Sequence, residues 1–274
     1  MSNNKAKNVL VVGMPRSGTS MTASIFTKSG YFVAENESDE LRKGDEYNPS
    51  GYWEAESIIK SNAEIFEAAG FQHDNTWLFD PISDNQASNI SKISPQANHI
   101  ELIKKFDNNS PWIWKDPRLC YTLSYWWPLL NPDTTRVLLL KRDPNEIYNS
   151  FLRVKWRTPS DANKKEVFNR IDEHIKAAES AIEKYNIPYV EIYFSDYKNN
   201  PLDTINKINQ MFDIQIQTND IGYNHKLNNQ SLNGIILRII NTIGDILPSY
   251  IRTLIKKLIP TFIWKILNPN RYSK

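Results

Sequence analysis

Arg16 stands in Gly13-Met14-Pro15-Arg16-Ser17-Gly18-Thr19-Ser20, between glycines at the spacing Gly-x-x-x-x-Gly and among three hydroxyl side chains. Glycines so spaced let a backbone turn tightly and come close to an anion, and a helix that starts there points its N–H groups and positive dipole end at it. Ser17, Thr19 and Ser20 add hydroxyl donors, and Arg16 adds a planar fork of donors with a permanent charge. A nucleotide-binding P-loop carries lysine directly after the second glycine, where this chain has Thr19. The loop reads as a holder of a phosphate-like group; a merely tight strand-to-helix turn is the plainer alternative.

A second anion grip is spelled in Leu140-Lys141-Arg142-Asp143-Pro144-Asn145-Glu146-Ile147-Tyr148-Asn149-Ser150. Asp143-Pro144 opens a helix, an N-cap with proline in the first turn. Arg142 then sits at the mouth and Ser150 about two turns along, on the order of 9 Å down the axis. Together they fit a phosphate separate from the first, unless Arg142 only pairs with a surface carboxylate. Glu54 follows the turn residues Pro49 and Gly51 and begins a predicted helix whose Ile58, Ile59, Ile65 and Phe66 face inward. It is either a proton acceptor or an ordinary first-turn carboxylate favoured by the helix dipole, with Glu35, Glu46 and His73 as rival bases. Lys115 closes an apolar run and reaches the same region, or forms a salt bridge with Asp116 or a neighbour.

The elements that must position these groups alternate along the chain. Short β runs cover Asn8 to Gly13, Trp112 to Lys115, Thr135 to Lys141 and Pro188 to Phe194. Helical patterns cover Thr19 to Ser29, Glu54 to Ala69, Gln96 to Phe106, Leu119 to Leu130, Pro144 to Lys155, Asn163 to Tyr185 and Pro201 to Phe212. Alternation of this kind predicts an α/β fold, an open, mostly parallel β-sheet flanked by helices. Ligands bind outside the carboxyl ends of such strands, which is where the groups above fall. Gln72 to Pro95 is polar and weakly periodic and reads as a long surface loop with room for a short helix. The tryptophans 112, 114, 126 and 127 read as core, and Trp53 as core or as a stacking surface for a ring.

The 274 residues support one enzyme-sized domain, residues 1–231, with a tail at 232–274. The formal charge of +2 does not suggest nucleic acid. Cys120 is the single cysteine, so an internal disulfide is excluded and a thiolate-rich metal site is not expected. Neither a signal peptide nor a run of ~18 apolar residues is seen, which places the chain in the cytoplasm. In the tail, Ile235, Ile239, Ile243 and Ile246, then Ile251, Leu254, Leu258 and Phe262, fall on helical faces, and Arg238, Arg252, Lys256, Lys257, Lys265, Arg271 and Lys274 oppose Asp245 alone. Such a stripe packs on the core, joins a homodimer, or lies peripherally on the inner face of a membrane through residues 232–267.

Taken together the motifs resemble the superfamily of sulfotransferases that use 3′-phosphoadenosine 5′-phosphosulfate (PAPS), and in particular its bacterial branch. Pro15 through Ser20 is similar to that family's 5′-phosphosulfate loop, and Arg142 through Ser150 to its 3′-phosphate element. Asn48-Pro49-Ser50-Gly51-Tyr52-Trp53-Glu54 resembles its NP-x-GY-x-E segment, and Trp114-Lys115-Asp116-Pro117-Arg118 its KDPR strand end. Tyr193-Phe194-Ser195-Asp196-Tyr197 through Pro201 is similar to the segment written YEDL-x-x-x-P. The resemblance runs from residue 9 to about 212. It departs in Arg16, where many members carry lysine, in Ser195 for the glutamate of YEDL, and in lacking the late Arg-Lys-Gly phosphate element, for which His225 and Lys226 are the available substitutes.

The resemblance implies a P-loop-like fold and transfer of a sulfuryl group from PAPS to a hydroxyl, a carbohydrate or lipid-linked glycan, without a metal. Arg16, Glu54 and Lys115 would carry the catalysis. Pro15, Arg16, Ser17, Gly18, Thr19, Ser20, Arg142, Ser150 and Tyr193 would hold the nucleotide. A P-loop kinase or NTPase, or a non-catalytic nucleotide-fold protein docking at membranes, are the competing expectations.

Overall fold

The computed structural model describes residues 6–36, 40–44, 48, 51–71, 78 and 80–222. These belong to one compact unit, Met1–Tyr223. The boundary at 231/232, the tail stripe, His225 and Lys226 lie outside the described residues, as do Glu46, Pro49 and His73.

Strand β1 (Asn8–Val12) is buried along its whole length. It lies between β2 (Ile113–Lys115) and β3 (Thr135–Lys141), and β4 (Tyr189–Tyr193) pairs with β3. The order is β2-β1-β3-β4 and every pairing is parallel, with Leu10 opposite Trp114 on one side and Val137 on the other. Such strands need crossovers, and helices supply them.

Alternation along the strands divides two cores. Leu10, Val12, Val137 and Leu139 face one side with Trp112, Trp114 and Trp126, and Val9, Val11, Leu138 and Leu140 face the other. The first core is closed by α2 (Glu56–Ala68), α3 (Asp84–Ile90), α4 (Ala97–Asp107), α5 (Leu119–Trp126), α6 (Pro144–Arg153) and α7 (Asp161–Tyr185). The second is closed by α1 (Thr19–Lys28) and α8 (Pro201–Phe212), where Phe26 meets Phe212 edge to face at 5.1 Å. The fold is therefore the expected α/β arrangement.

Three details differ from the periodicity. Helix α5 ends at Trp126 and Trp127–Leu129 continues as a 3-10 turn, because Pro128 lacks the N–H that another α turn needs. Within the polar stretch, α3 starts at a capping box of Ser83 and Gln86 and buries Ile90 fully. Glu54 does not begin a helix: Ala55 is the N-cap of α2, so Glu54 lies in extended chain ahead of it.

The first core also holds a titratable group. His174 is fully buried on α7, with Nδ1 2.8 Å from the Arg170 carbonyl and 3.2 Å from the Tyr121 hydroxyl, and burial pushes its pKa from 6.5 down to about 3. The folded chain keeps the ring neutral where the unfolded chain protonates it. Its contribution is thus complete above pH 6.5 and is lost as pH falls from there toward 3. Urea unfolding should show about 2 kcal/mol of stability lost from this group between pH 7 and pH 5. His174→Gln should flatten that slope; an unchanged slope assigns the acid limb to other groups.

Candidate functional site

The loop between β1 and α1 reverses its backbone hand twice. Arg16 has φ of 69° and Gly18, the N-cap of α1, has φ of 96°. Gly18 offers no side-chain cap, which leaves the first N–H groups of α1 to a ligand or solvent. No acidic residue stands in that first turn. The Ser17 backbone N–H donates to the Met14 carbonyl at 3.1 Å, while the Ser17 hydroxyl is buried with no partner among the described residues. A buried hydroxyl left so is costly unless a ligand completes it. Thr19 is buried and Ser20 partly so. Thr22, one turn on, donates to the Tyr197 hydroxyl at 3.1 Å and pins α1 from below.

The second element is tied directly to the first. Asp143 caps α6 by accepting from the N–H groups of Asn145 at 2.8 Å and Glu146 at 3.1 Å, and Pro144 takes the first helical position. Arg142, at the end of β3, donates from Nη1 to the Arg16 carbonyl at 2.9 Å and from Nε to Glu146 at 2.8 Å. The carboxylate partner weighed as its plainer role is therefore present in Glu146, and the same guanidinium also ties the loop through the Arg16 carbonyl. Arg16 in turn donates from Nε to the Ser150 hydroxyl at 3.0 Å. The Phe194 ring lies beneath this junction, 4.4 Å from the Arg142 guanidinium carbon, and closes on Gly18 so tightly that a Cβ there would stand 2.2 Å from it.

Tyr193 ends β4 half exposed, its N–H donating to Asp196 at 3.2 Å. It stands on the rim of a cavity of about 270 Å³ whose wall includes Met14, Ser17, Arg142, Ile147 and Ile171. The same wall carries the charged residues Lys141, Asp172, Lys176 and Glu179, so apolar and ionic groups line the space together.

On the opposite side of β1, at the end of β2, lies a buried ion pair. Lys115 donates to Glu54 through a short hydrogen bond and to the Ser20 hydroxyl at 3.2 Å. Both side chains are almost wholly buried. The other Glu54 oxygen accepts from Arg42 Nη1 at 3.1 Å, and the Arg42 guanidinium stacks 4.2 Å over Tyr52. Arg42 reaches there because residues 41 and 55 bridge antiparallel and its N–H donates to the Glu54 carbonyl at 3.0 Å. Lys115 thus pairs with Glu54 and not with Asp116. Asp116 is held by Arg118, through its N–H at 2.7 Å and its guanidinium at 3.1 Å, and burial outweighs that cation and pushes its pKa up.

The loop residues Pro15 to Ser20, Arg142, Ser150 and Tyr193 therefore line the β1, β3 and β4 ends, and Glu54 and Lys115 the β2 end. Trp53, with φ of 56°, is partly buried against the second core, and its indole N–H is buried with no acceptor among the described residues. Trp112, Trp114, Trp126 and Trp127 are core, as is Cys120, whose thiol burial pushes up to about 12. Glu35 is exposed and pairs with Lys105 at 3.1 Å. Two residues that hold these groups have no role assigned from the sequence: Phe194 lies within the Tyr193-to-Pro201 motif as the apolar neighbour of Tyr193, whereas Arg42 belongs to no motif and carries no local signal.

A family model described as the sulfotransferase family matches residues 8–218. No curated protein matches the chain significantly. Among solved structures, the chain is similar to a sulfotransferase from Mycobacterium tuberculosis H37Rv, at 12% identity over 79% of this chain and 70% of that one, with a TM-score of 0.45. It is similar also to the sulfotransferase domain of the Synechococcus PCC 7002 olefin synthase, at 12% identity, 86% and 84% coverage and a TM-score of 0.45. A sulfotransferase from Alicyclobacillus acidocaldarius aligns at 13% identity, covering 85% and 92%, with a TM-score of 0.44.

Proposed function

The chain belongs to the sulfotransferase family, and from that premise we propose that it moves a sulfuryl group from PAPS to a hydroxyl of a carbohydrate or lipid-linked glycan. One observation carries the reading. Arg142 on the Arg16 carbonyl and Arg16 on Ser150 join two anion-binding elements into one clamp, beside the buried Glu54–Lys115 pair.

The donor supplies a sulfur bonded through oxygen to a phosphate leaving group; that bond breaks as the acceptor oxygen bonds to sulfur. Arg16 and the N-terminus of α1 offset the negative charge that grows on the departing oxygen. Lys115, between Ser20 and Glu54, passes from the carboxylate to the sulfuryl oxygens. Glu54 then takes the acceptor's hydroxyl proton as general base. Ser17 and Thr19 complete the loop's contacts to the 5′-phosphate, and Tyr193 covers the nucleoside.

A kinase or NTPase of this topology needs a carboxylate for magnesium after a strand. Asp116, which follows β2, has both oxygens engaged by Arg118. The basic stripe at 232–267 belongs to the same proposal as a peripheral contact with the inner face of the membrane, its alternative being a homodimer contact.

Calorimetric titration with adenosine 3′,5′-bisphosphate tests the reading. The wild type should bind it, and Arg142→Ala should weaken binding ten- to hundredfold, the range for losing about 1.5–3 kcal/mol of charge-assisted hydrogen bonding. Binding of ATP with magnesium in place of the bisphosphate overturns it.

A further inference from the structure

We propose that Arg42 is a positioning residue for the base: it holds Glu54 by Oε2 while Lys115 leaves for the sulfuryl group, so that Oε1 is the oxygen that takes the acceptor's proton. The inference rests on the donor reading above and adds to it a residue outside every motif.

The two oxygens of Glu54 face different cations. Oε1 accepts from Lys115, which also donates to the Ser20 hydroxyl, and Oε2 accepts from Arg42 Nη1 at 3.1 Å. The Lys115 and Glu54 side chains are 4% and 3% exposed, whereas that of Arg42 is 49% exposed. The inner cation therefore lies on the loop side, and the outer one borders solvent. Arg42 is tied to Glu54 through the main chain as well, by the antiparallel bridge of Leu41 with Ala55 and by its N–H on the Glu54 carbonyl at 3.0 Å. Tyr52 backs both cations, its ring centre 4.2 Å from the Arg42 guanidinium carbon and 5.9 Å from Lys115 Nζ. Asp116, the other buried carboxylate of the cluster, is answered by Arg118 at 3.1 Å.

A buried carboxylate that loses its counter-charge is costly, and it relieves the cost by taking up a proton. A base protonated in that way accepts nothing from the acceptor. When Lys115 moves to the sulfuryl oxygens a second cation must therefore stay, and a guanidinium keeps its charge at neutral pH even when half buried. Arg42 leaves Oε1 vacated, charged and in place. The acceptor's hydroxyl proton passes to Oε1 as its oxygen bonds to sulfur, and the departing bisphosphate keeps the electron pair of the broken sulfur–oxygen bond.

A plainer role is available to Arg42, that of a surface ion pair of little consequence. Proton exchange on binding separates the two. Calorimetric titration of the full chain at neutral pH, in buffers of different ionisation enthalpy, counts the protons taken up with PAPS and with adenosine 3′,5′-bisphosphate. Only PAPS brings the sulfuryl group that draws Lys115 away.

Arg42→Gln, which keeps a hydrogen-bond donor and loses the charge, should take up as much as about one proton more than the wild type with PAPS, and no more with the bisphosphate. Arg42→Lys should return the count to the wild-type value. Adding Glu54→Gln to Arg42→Gln should abolish the excess. No excess with PAPS, an equal excess with both nucleotides, or an excess that survives the loss of Glu54 overturns the role of Arg42. A wild type that binds neither nucleotide overturns the donor reading itself.

Discussion

Glu54→Gln is expected to lower the rate of sulfuryl transfer by a factor of 10² to 10⁴, the range that a positioned general base contributes. Binding of adenosine 3′,5′-bisphosphate should stay within about twofold, because Glu54 lies at the β2 end of the site and the clamp of Arg16, Arg142 and Ser150 lies toward β3. Glutamine keeps the shape and leaves one amide oxygen for Lys115 or Arg42, but it cannot accept the acceptor's proton. Lys115 then stays buried without its counterion, so the unfolding temperature should fall as well. Rates are therefore compared well below both midpoints, using labelled donor and a panel of glycan acceptors. A rate within threefold of the wild type moves the base elsewhere. The exposed Glu35, already paired with Lys105, is the weaker rival among the described residues.

Gly18→Ala should damage the other half of the site. An added Cβ would stand 2.2 Å from the Phe194 ring, a collision in the middle of the clamp, at a residue whose φ of 96° already disfavours any side chain. Relief requires Phe194 to move, and with it the surface against which Arg142 packs. Nucleotide affinity should fall by about a hundredfold, on the order of 2.7 kcal/mol. Gly30→Ala is the control. Its φ of 86° imposes similar backbone strain, yet nothing stands within 4 Å of the new Cβ. It should lower stability by about 1–2 kcal/mol without changing affinity. Equal affinity losses in the two variants would mean that backbone strain, and not the contact with Phe194, sets the loop.

Much of the architecture was legible because its causes are local. Runs such as Val9 to Val12 and Val137 to Leu140 alternate between two cores, and only a sheet covered on both faces accepts them. The loop at Gly13 to Gly18 and the Asp143-Pro144 helix start are likewise set by neighbours in sequence. The errors have local causes too. Pro128 shortened a helix that periodicity extended to Leu130, and the turn before Glu54 continues through a left-handed Trp53, which delays α2 to Glu56.

The amino-acid sequence by itself determined which groups are present and at which strand ends they emerge: an arginine loop after β1, an arginine and a serine on either side of a helix start after β3, a lysine after β2. It did not determine their partners. Arg16 and Ser150 are separated by 134 positions, Arg142 and Arg16 by 126, and Lys115 and Glu54 by 61. Spacing within a helix or turn says nothing about contacts of that range. They arise because the order β2-β1-β3-β4 sets β1 between the other two elements and because Ser150, Lys115 and Glu54 are buried at the ends of the strands. Tertiary structure alone decided that Arg16 reaches across to Ser150 and that Glu54 is held between two cations, Lys115 and Arg42. Buried charges must find counter-charges, and only the folded chain brings those within reach.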